Sequence, residues 1–144
     1  MRLVVDASVA VKWVIPAPGI EPDADRAANL LSAIRAGVIE MIQPPHWLAE
    51  VAAVVSRLRP ETALHAIDLL DALDVAVAAD GHIYKRASRI AIATGQHLFD
   101  TLYHAVALER DAQLVTADER YLRKVRTIGH LMGLAEWNPS VADE

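Results

Sequence analysis

Short apolar runs recur along the chain and alternate with longer stretches in which apolar residues return every three or four positions. The short runs are typical of strands buried on both faces, and the longer stretches have the period of amphipathic helices. The predicted strands are residues 3–5, 39–43, 75–77 and 112–116, with residues 127–129 as a candidate edge strand. The predicted helices are residues 8–15, 46–58, 81–94, 98–110 and 121–125, one from Asp23 or Asp25 to Gly37, and one that begins at Glu61.

Proline and glycine separate these elements, because proline interrupts a helix and glycine tolerates the turn that follows one. A turn is predicted at residues 16–19, and Pro60 ends the helix before it. The helix that begins at Glu61 is predicted to turn one apolar stripe inward, formed by Leu64, Ile67, Leu70 and Leu73. Strands that alternate with helices predict an α/β fold, a three-layer sandwich in which helices flank a central parallel sheet of four to five strands.

The composition fits a single globular domain. Of the 144 residues, 53% are hydrophobic and 23% are charged, which is sufficient for one aliphatic core. We expect the domain to span residues 1–137 and a flexible tail to follow at 138–144. The chain has no cysteine, no apolar N-terminal segment of signal-peptide length and no apolar run of membrane-spanning length, so we expect a soluble cytoplasmic protein.

Four acids stand where a site is expected. Asp6 and Asp118 follow the first and fourth predicted strands, while Glu50 and Asp100 lie on helices that can reach the same edge of the sheet. In parallel α/β sheets this edge is where ligands bind. Crowded carboxylates need a cation, and oxygen ligands suit Mg²⁺ or Mn²⁺. The alternatives are ordinary helix caps for the three aspartates, and a surface pair between Glu50 and His46.

Basic residues cluster locally although the formal net charge is −5. Setting the four acids aside as metal ligands changes that charge from −5 to −1. The cluster that follows Asp118 would flank the metal site and contact RNA phosphates, or else form a solvated helix face. Its members are Arg120, Arg123, Lys124 and Arg126.

Four segments in this order and spacing resemble PIN-domain ribonucleases, specifically VapC-type toxins. They are DASVAVKW at residues 6–13, LAEV at 48–51, FDTLY at 99–103 and LVTAD at 114–118, and the resemblance extends from residue 3 to about residue 128. It implies a PIN-like sandwich, Mg²⁺- or Mn²⁺-dependent endoribonuclease activity, a homodimer and inhibition by a VapB-like antitoxin. By this resemblance the acidic quartet is Asp6, Glu50, Asp100 and Asp118, with Ser8 and Thr116 as polar support and Glu119 as an additional acid.

Other classes fit the residues less well. A phospho-acceptor domain expects paired acids after the first strand, and a haloacid-dehalogenase-type phosphatase expects an aspartate where this chain has Ser8. The main alternative is a catalytically inactive PIN fold that binds RNA or protein. For the antitoxin we expect an apolar groove near the acids, to which Trp13, Ile15 and Trp47 contribute.

Overall fold

A parallel sheet forms the centre of the molecule, and its strand order is β3-β2-β1-β4-β5. The computed structural model describes residues 1–15 and 23–139, and these contain five strands and seven α-helices. The strands are β1 (Arg2–Val5), β2 (Glu40–Gln43), β3 (Ala76–Val77), β4 (Gln113–Thr116) and β5 (Leu131–Gly133). The helices are α1 (Ala7–Val14), α2 (Ala24–Arg35), α3 (Trp47–Leu58), α4 (Ala63–Asp71), α5 (Gly81–Thr94), α6 (Leu98–Glu109) and α7 (Glu119–Val125).

The first strand occupies the middle of the sheet. It pairs in parallel with β2 on one side and with β4 on the other, where Val5 stands opposite Val115. Leu3, Val4 and Val5 are fully buried, as an unbroken apolar run in a doubly covered strand requires. The predicted α/β fold is therefore confirmed.

Helix α6 is the most deeply buried helix. Its residues from Thr101 to Ala107 are all buried, and it packs against β1, β2 and β4 as well as against α5. Helix α1 packs against α2, α3 and β4. Gly95 ends α5 in the left-handed conformation with φ of 69°, so the chain turns at once into α6. Helices α1 and α7 begin within three residues of the ends of β1 and β4, so their starts lie at the edge of the sheet that carries the strand carboxyl ends.

Two of the predictions from the apolar pattern are wrong. Leu64 is 80% exposed and not inward, because α4 buries Ala63 and Ala66 together with Leu70, which is inward as predicted. Helix α4 packs against α3, and its buried side is displaced from the predicted stripe toward the two alanines.

The edge strand lies further along the chain than residues 127–129. Arg126–Ile128 forms a 3₁₀ turn, Gly129 and His130 take positive φ angles of 82° and 55°, and the strand that pairs with β4 is Leu131–Gly133. The predicted turn at residues 16–19 and most of the predicted tail, residues 140–144, lie outside the described residues. Within the described residues, no helix is both long and apolar enough to cross a membrane.

Candidate active site at the carboxyl edge of the sheet

Two of the predicted acids come from neighbouring strands. Asp6 follows β1 directly and Asp118 follows β4 by two residues, and these strands are parallel partners. The Asp6 N–H donates to the Val115 carbonyl at 3.0 Å, which extends the ladder to the acid itself. Because parallel neighbours end at the same edge, both carboxylates stand at one edge of the sheet.

Ser8 and Thr116 tie the two strand ends together. Their hydroxyl oxygens lie 3.4 Å apart, and the Ser8 hydroxyl accepts a hydrogen bond from the Ala117 N–H at 3.0 Å. The Asp118 N–H donates to the Thr116 Oγ1 at 3.0 Å. These two residues therefore fix the loop that carries Asp118 against the start of α1.

Glu50 joins this edge from the first turn of α3. The Tyr103 hydroxyl donates to Glu50 Oε1 at 2.6 Å, and His46 Nε2 lies 3.1 Å from the same oxygen. Burial raises the pKa of Glu50, but the hydrogen bonds from His46 and Tyr103 outweigh it, so the pKa lies below its ordinary value. The proposed pair with His46 is present, and it belongs to a site that also includes the buried Tyr103.

Asp100 stands in the first turn of α6, where the N-cap is His97 and not Asp100. Burial raises the pKa of Asp100, and the negative charges of Glu50 and Asp118 raise it further. Burial also raises the pKa of Asp6, to about 6; hydrogen bonds from Ser8 oppose this rise, whereas Asp100 and Glu50 add to it. The four acids thus lie in one electrostatic neighbourhood, although they come from four separate segments.

The capping alternative is also correct for two of these acids. Asp6 Oδ2 accepts from the Ser8 N–H and Asp118 Oδ1 accepts from the Tyr121 N–H, both at 3.0 Å. Each bond falls on a single carboxylate oxygen, and a carboxylate has two oxygens that accept. Asp6 and Asp118 can therefore each cap a helix with one oxygen and coordinate a cation with the other.

The acids do not form a closed metal cage. Among residues 1–15 and 23–139, no three His, Cys, Asp or Glu side chains are grouped as metal ligands. The chemistry of the set nevertheless fits a hard divalent cation, because all four donors are carboxylates. Repulsion by neighbouring carboxylates contributes to the raised pKa of Asp6 and of Asp100. A cation that bound there would relieve this repulsion.

The basic cluster after Asp118 is divided between two clefts. Arg120 and Lys124 line a cleft with Asp100 and Asp118, which we term the acid cleft; it also includes Gly95, Gln96, His97 and Tyr121. Arg123 and Arg126 instead line a second cleft, together with Glu119, Thr116 and Glu136. Arg126 is paired there with Glu136 at 3.1 Å. The structure thus places Glu119 beside the second cleft and not in the acid cleft.

Two tyrosines at the site were missed by the sequence reasoning. Tyr103 bonds Glu50, and Tyr121 gives its N–H to Asp118 while its hydroxyl lies 3.0 Å from His104 Nδ1. Burial raises the pKa of both phenols, and the surrounding acids raise it further. The available signal was spacing, because each tyrosine lies three positions after an acid near a helix start.

The predicted partner groove is only partly formed by the residues named for it. Trp47 is 5% exposed and belongs to the core, and it does not line the groove that contains Trp13. Trp13 donates its indole N–H to the Ala27 carbonyl at 2.8 Å and lines an apolar groove with Leu31, Leu69 and other residues of α1, α2 and α4. Ile15 packs against the core and is partly buried.

Comparison with known proteins gives one family match. A family model described as PIN domain matches residues 3–127, which is more than half of the chain. A search of curated proteins finds no match.

Proposed function

The chain belongs to the PIN-domain family, whose fold is of the nuclease type, and from this premise we propose that it is a divalent-metal-dependent endoribonuclease. The observation that carries the proposal is the meeting of four acids at one sheet edge, where each shares an electrostatic neighbourhood with at least one other. They are Asp6, Glu50, Asp100 and Asp118.

These acids would hold Mg²⁺ or Mn²⁺. PIN-domain nucleases typically use divalent cations, and carboxylate oxygens are the ligands that both of these ions prefer. When bound, such a cation polarises a phosphoryl oxygen and lowers the pKa of a coordinated water. The chain itself supplies the negative charge and keeps it in place through hydrogen bonds.

Hydrogen bonds from the protein hold the carboxylates. Tyr103 and His46 both contact Oε1 of Glu50, so this oxygen is occupied and the carboxylate is fixed in orientation. Ser8 and Tyr121 hold Asp6 and Asp118 through backbone N–H groups. Carboxylates that are held in this way lose little side-chain entropy when a ligand binds.

RNA phosphates would bind Arg120 and Lys124. These two cations line the acid cleft, and a strand of RNA whose phosphate reaches Asp100 and Asp118 passes them. Arg123 and Arg126 face the second cleft, where Glu119 and Glu136 supply opposing charge. We therefore narrow the RNA-binding prediction to Arg120 and Lys124 and retain the other two as the comparison pair.

We further propose that the protein is a toxin of the VapC type, active in the cytoplasm as a homodimer and inhibited by a VapB-like antitoxin. The support is the resemblance of the four acidic segments and the apolar groove lined by Trp13, Leu31 and Leu69. Expression without an antitoxin should then arrest growth, and a native pull-down should recover a small co-encoded protein. If the pull-down recovers none, the partner proposal fails, whereas the nuclease proposal stands.

The experiment that tests the nuclease is replacement of Asp6 by Asn. Asparagine caps a helix about as well as aspartate, so α1 should stay intact while the charge at the site is lost. We expect RNA cleavage in Mn²⁺ to fall at least a hundredfold, on the order of the loss of one major electrostatic contact. A matched control is Asp80→Asn, which also replaces a helix-capping acid; Asp80 caps α5 and is paired with Arg110.

The outcomes separate the two remaining functions. Cleavage at the wild-type rate by a folded Asp6→Asn variant would show that Asp6 is not part of the active site. A wild-type protein that binds RNA but cleaves nothing in Mg²⁺ or Mn²⁺ would instead favour the inactive RNA-binding module.

A further inference from the structure

Phe99 is the only phenylalanine of the chain, and it is 59% exposed. A single exposed apolar side chain is ordinary on a protein surface. The position of Phe99 is unusual, however, because this residue directly precedes Asp100 in the first turn of α6. An aromatic ring is therefore presented to solvent beside the acids proposed to cut RNA.

His46 holds Phe99 in a defined place. The two rings are tilted by 39° with centroids 5.3 Å apart, and His46 Nε2 lies 2.9 Å from the Phe99 carbonyl oxygen. The same nitrogen lies 3.1 Å from Glu50 Oε1, and the imidazole also packs on Tyr103 with centroids 4.9 Å apart. The Phe99 ring is thus joined to Glu50 through one side chain, and its place relative to the acids is set by packing.

We propose that Phe99 is a stacking platform for an unpaired nucleobase next to the bond that is cut. This inference rests on the proposed ribonuclease function and adds a residue that contacts a base of the RNA beside the acids. Unpaired bases stack on aromatic rings in many RNA-binding proteins, whereas bases within a duplex are already stacked on one another. An exposed ring beside the site thus favours a strand whose bases are free.

The charges around the site favour the same occupant. Asp100 follows Phe99 in sequence and lines the acid cleft with Arg120 and Lys124. One strand can therefore place a base on the ring, a phosphate at the acids and further phosphates on the two cations. A protein partner at Phe99 would not require Arg120 and Lys124 beside the acids, so these cations favour RNA as the occupant.

The test measures binding in excess EDTA, where cleavage is suppressed. The probe is a fluorescently labelled single-stranded RNA of about 12 nucleotides, long enough to cross one such site, with the same sequence as a duplex for comparison. Loss of one base–aromatic stack corresponds to about 5- to 150-fold weaker binding. We expect this loss for Phe99→Ala with the single strand and not with the duplex.

Two further variants separate stacking from apolar contact. Phe99→Leu keeps apolar bulk without a ring and should lose binding like Phe99→Ala. Phe99→Trp should bind within about twofold of wild type, and its additional tryptophan fluorescence should be quenched when the RNA binds. The matched control is Ile92→Ala, because Ile92 is an apolar side chain of α5 that is 82% exposed and should leave binding unchanged.

Cleavage by the wild type in Mn²⁺ is measured in parallel. Unchanged binding by Phe99→Ala, or an equal loss for single strand and duplex, overturns the platform, and a protein partner then becomes the better account of the exposed ring. If Phe99→Ala loses single-strand binding while the wild type cleaves nothing, the platform stands and the nuclease proposal fails. If the wild type cleaves and Phe99→Ala both binds and cleaves as well, only the platform fails.

Discussion

Replacing Asp6 by Asn should stabilise the metal-free protein near neutral pH. Burial, with the charges of Asp100 and Glu50, raises the pKa of Asp6 from 3.8 to about 6 in the folded state. Between these values the unfolded chain loses its proton while the folded chain keeps it, so the free energy of unfolding falls as pH rises. Above pH 6 both states are ionised and the full cost of the buried charge is present.

The size of the effect follows from the two pKa values. At about 1.4 kcal/mol for each pH unit between them, the ionised carboxylate lowers the free energy of unfolding at pH 7 by about 3 kcal/mol. At pH 4 the folded state is protonated and the unfolded state is only about half ionised, so the same cost is below about 1 kcal/mol. Asparagine retains the cap on α1 and carries no charge, so the variant recovers most of this free energy. For a chain of this length, that corresponds to a melting temperature higher by roughly 10 °C at pH 7.

Thermal melts followed by circular dichroism in EDTA measure this directly, at pH 4 and at pH 7.5. The control is Asp80→Asn, for which the opposite sign is expected. The hydrogen bond from Arg110 lowers the pKa of Asp80, so its carboxylate contributes stability at neutral pH that is lost as the pH falls through the folded pKa. An Asp6→Asn variant that melts no higher than wild type at pH 7.5, or that differs from it equally at both pH values, would refute the buried-charge interpretation.

Two further predictions concern RNA and metal. Arg120→Ala with Lys124→Ala should weaken RNA binding and reduce the slope of log Kd against log salt by about 1.4, at about 0.7 for each lost phosphate contact on a single strand. Arg123→Ala with Arg126→Ala should leave that slope unchanged. A slope equal to that of the wild type in both double variants would show that the cluster is a solvated face. Mn²⁺ should raise the melting temperature of the wild type more than that of Asp118→Asn, because a ligand that binds only the folded state stabilises it. Asp118→Ala should also lose about 1 kcal/mol of capping free energy, and an equal metal increment in all three proteins would show that Asp118 is not a ligand.

The strands and helices were largely predictable from the sequence because they depend on local periodicity. An unbroken apolar run such as residues 3–5 is compatible only with a buried segment, and proline and glycine mark where helices end. The alternation of these elements implies a parallel sheet, and with it a common edge for the residues that follow Val5 and Thr116. The placement of Asp6 and Asp118 at one edge followed from this alone.

Local periodicity was insufficient where packing between distant segments decides the outcome. Leu64 is exposed because the buried side of α4 carries Ala63 and Ala66 in its place. The edge strand is Leu131–Gly133 because that segment pairs with the free side of β4. Neither fact depends on neighbours within one helical turn or one strand pair. A short apolar segment has several positions where it could be buried, and the rest of the core selects one of them.

The sequence alone thus determined the fold class, the order of elements and the arrival of acids at the sheet edge, since each depends on spacing along the chain. Tertiary structure decided which groups meet there: Tyr103 and Glu50 are 53 positions apart, yet they share a 2.6 Å hydrogen bond. Tertiary structure also places Arg120 and Arg123 in different clefts, and it packs the Phe99 ring on the His46 ring. Such contacts depend on the angle at which helices cross the sheet, and this angle is fixed only when all the core side chains pack together.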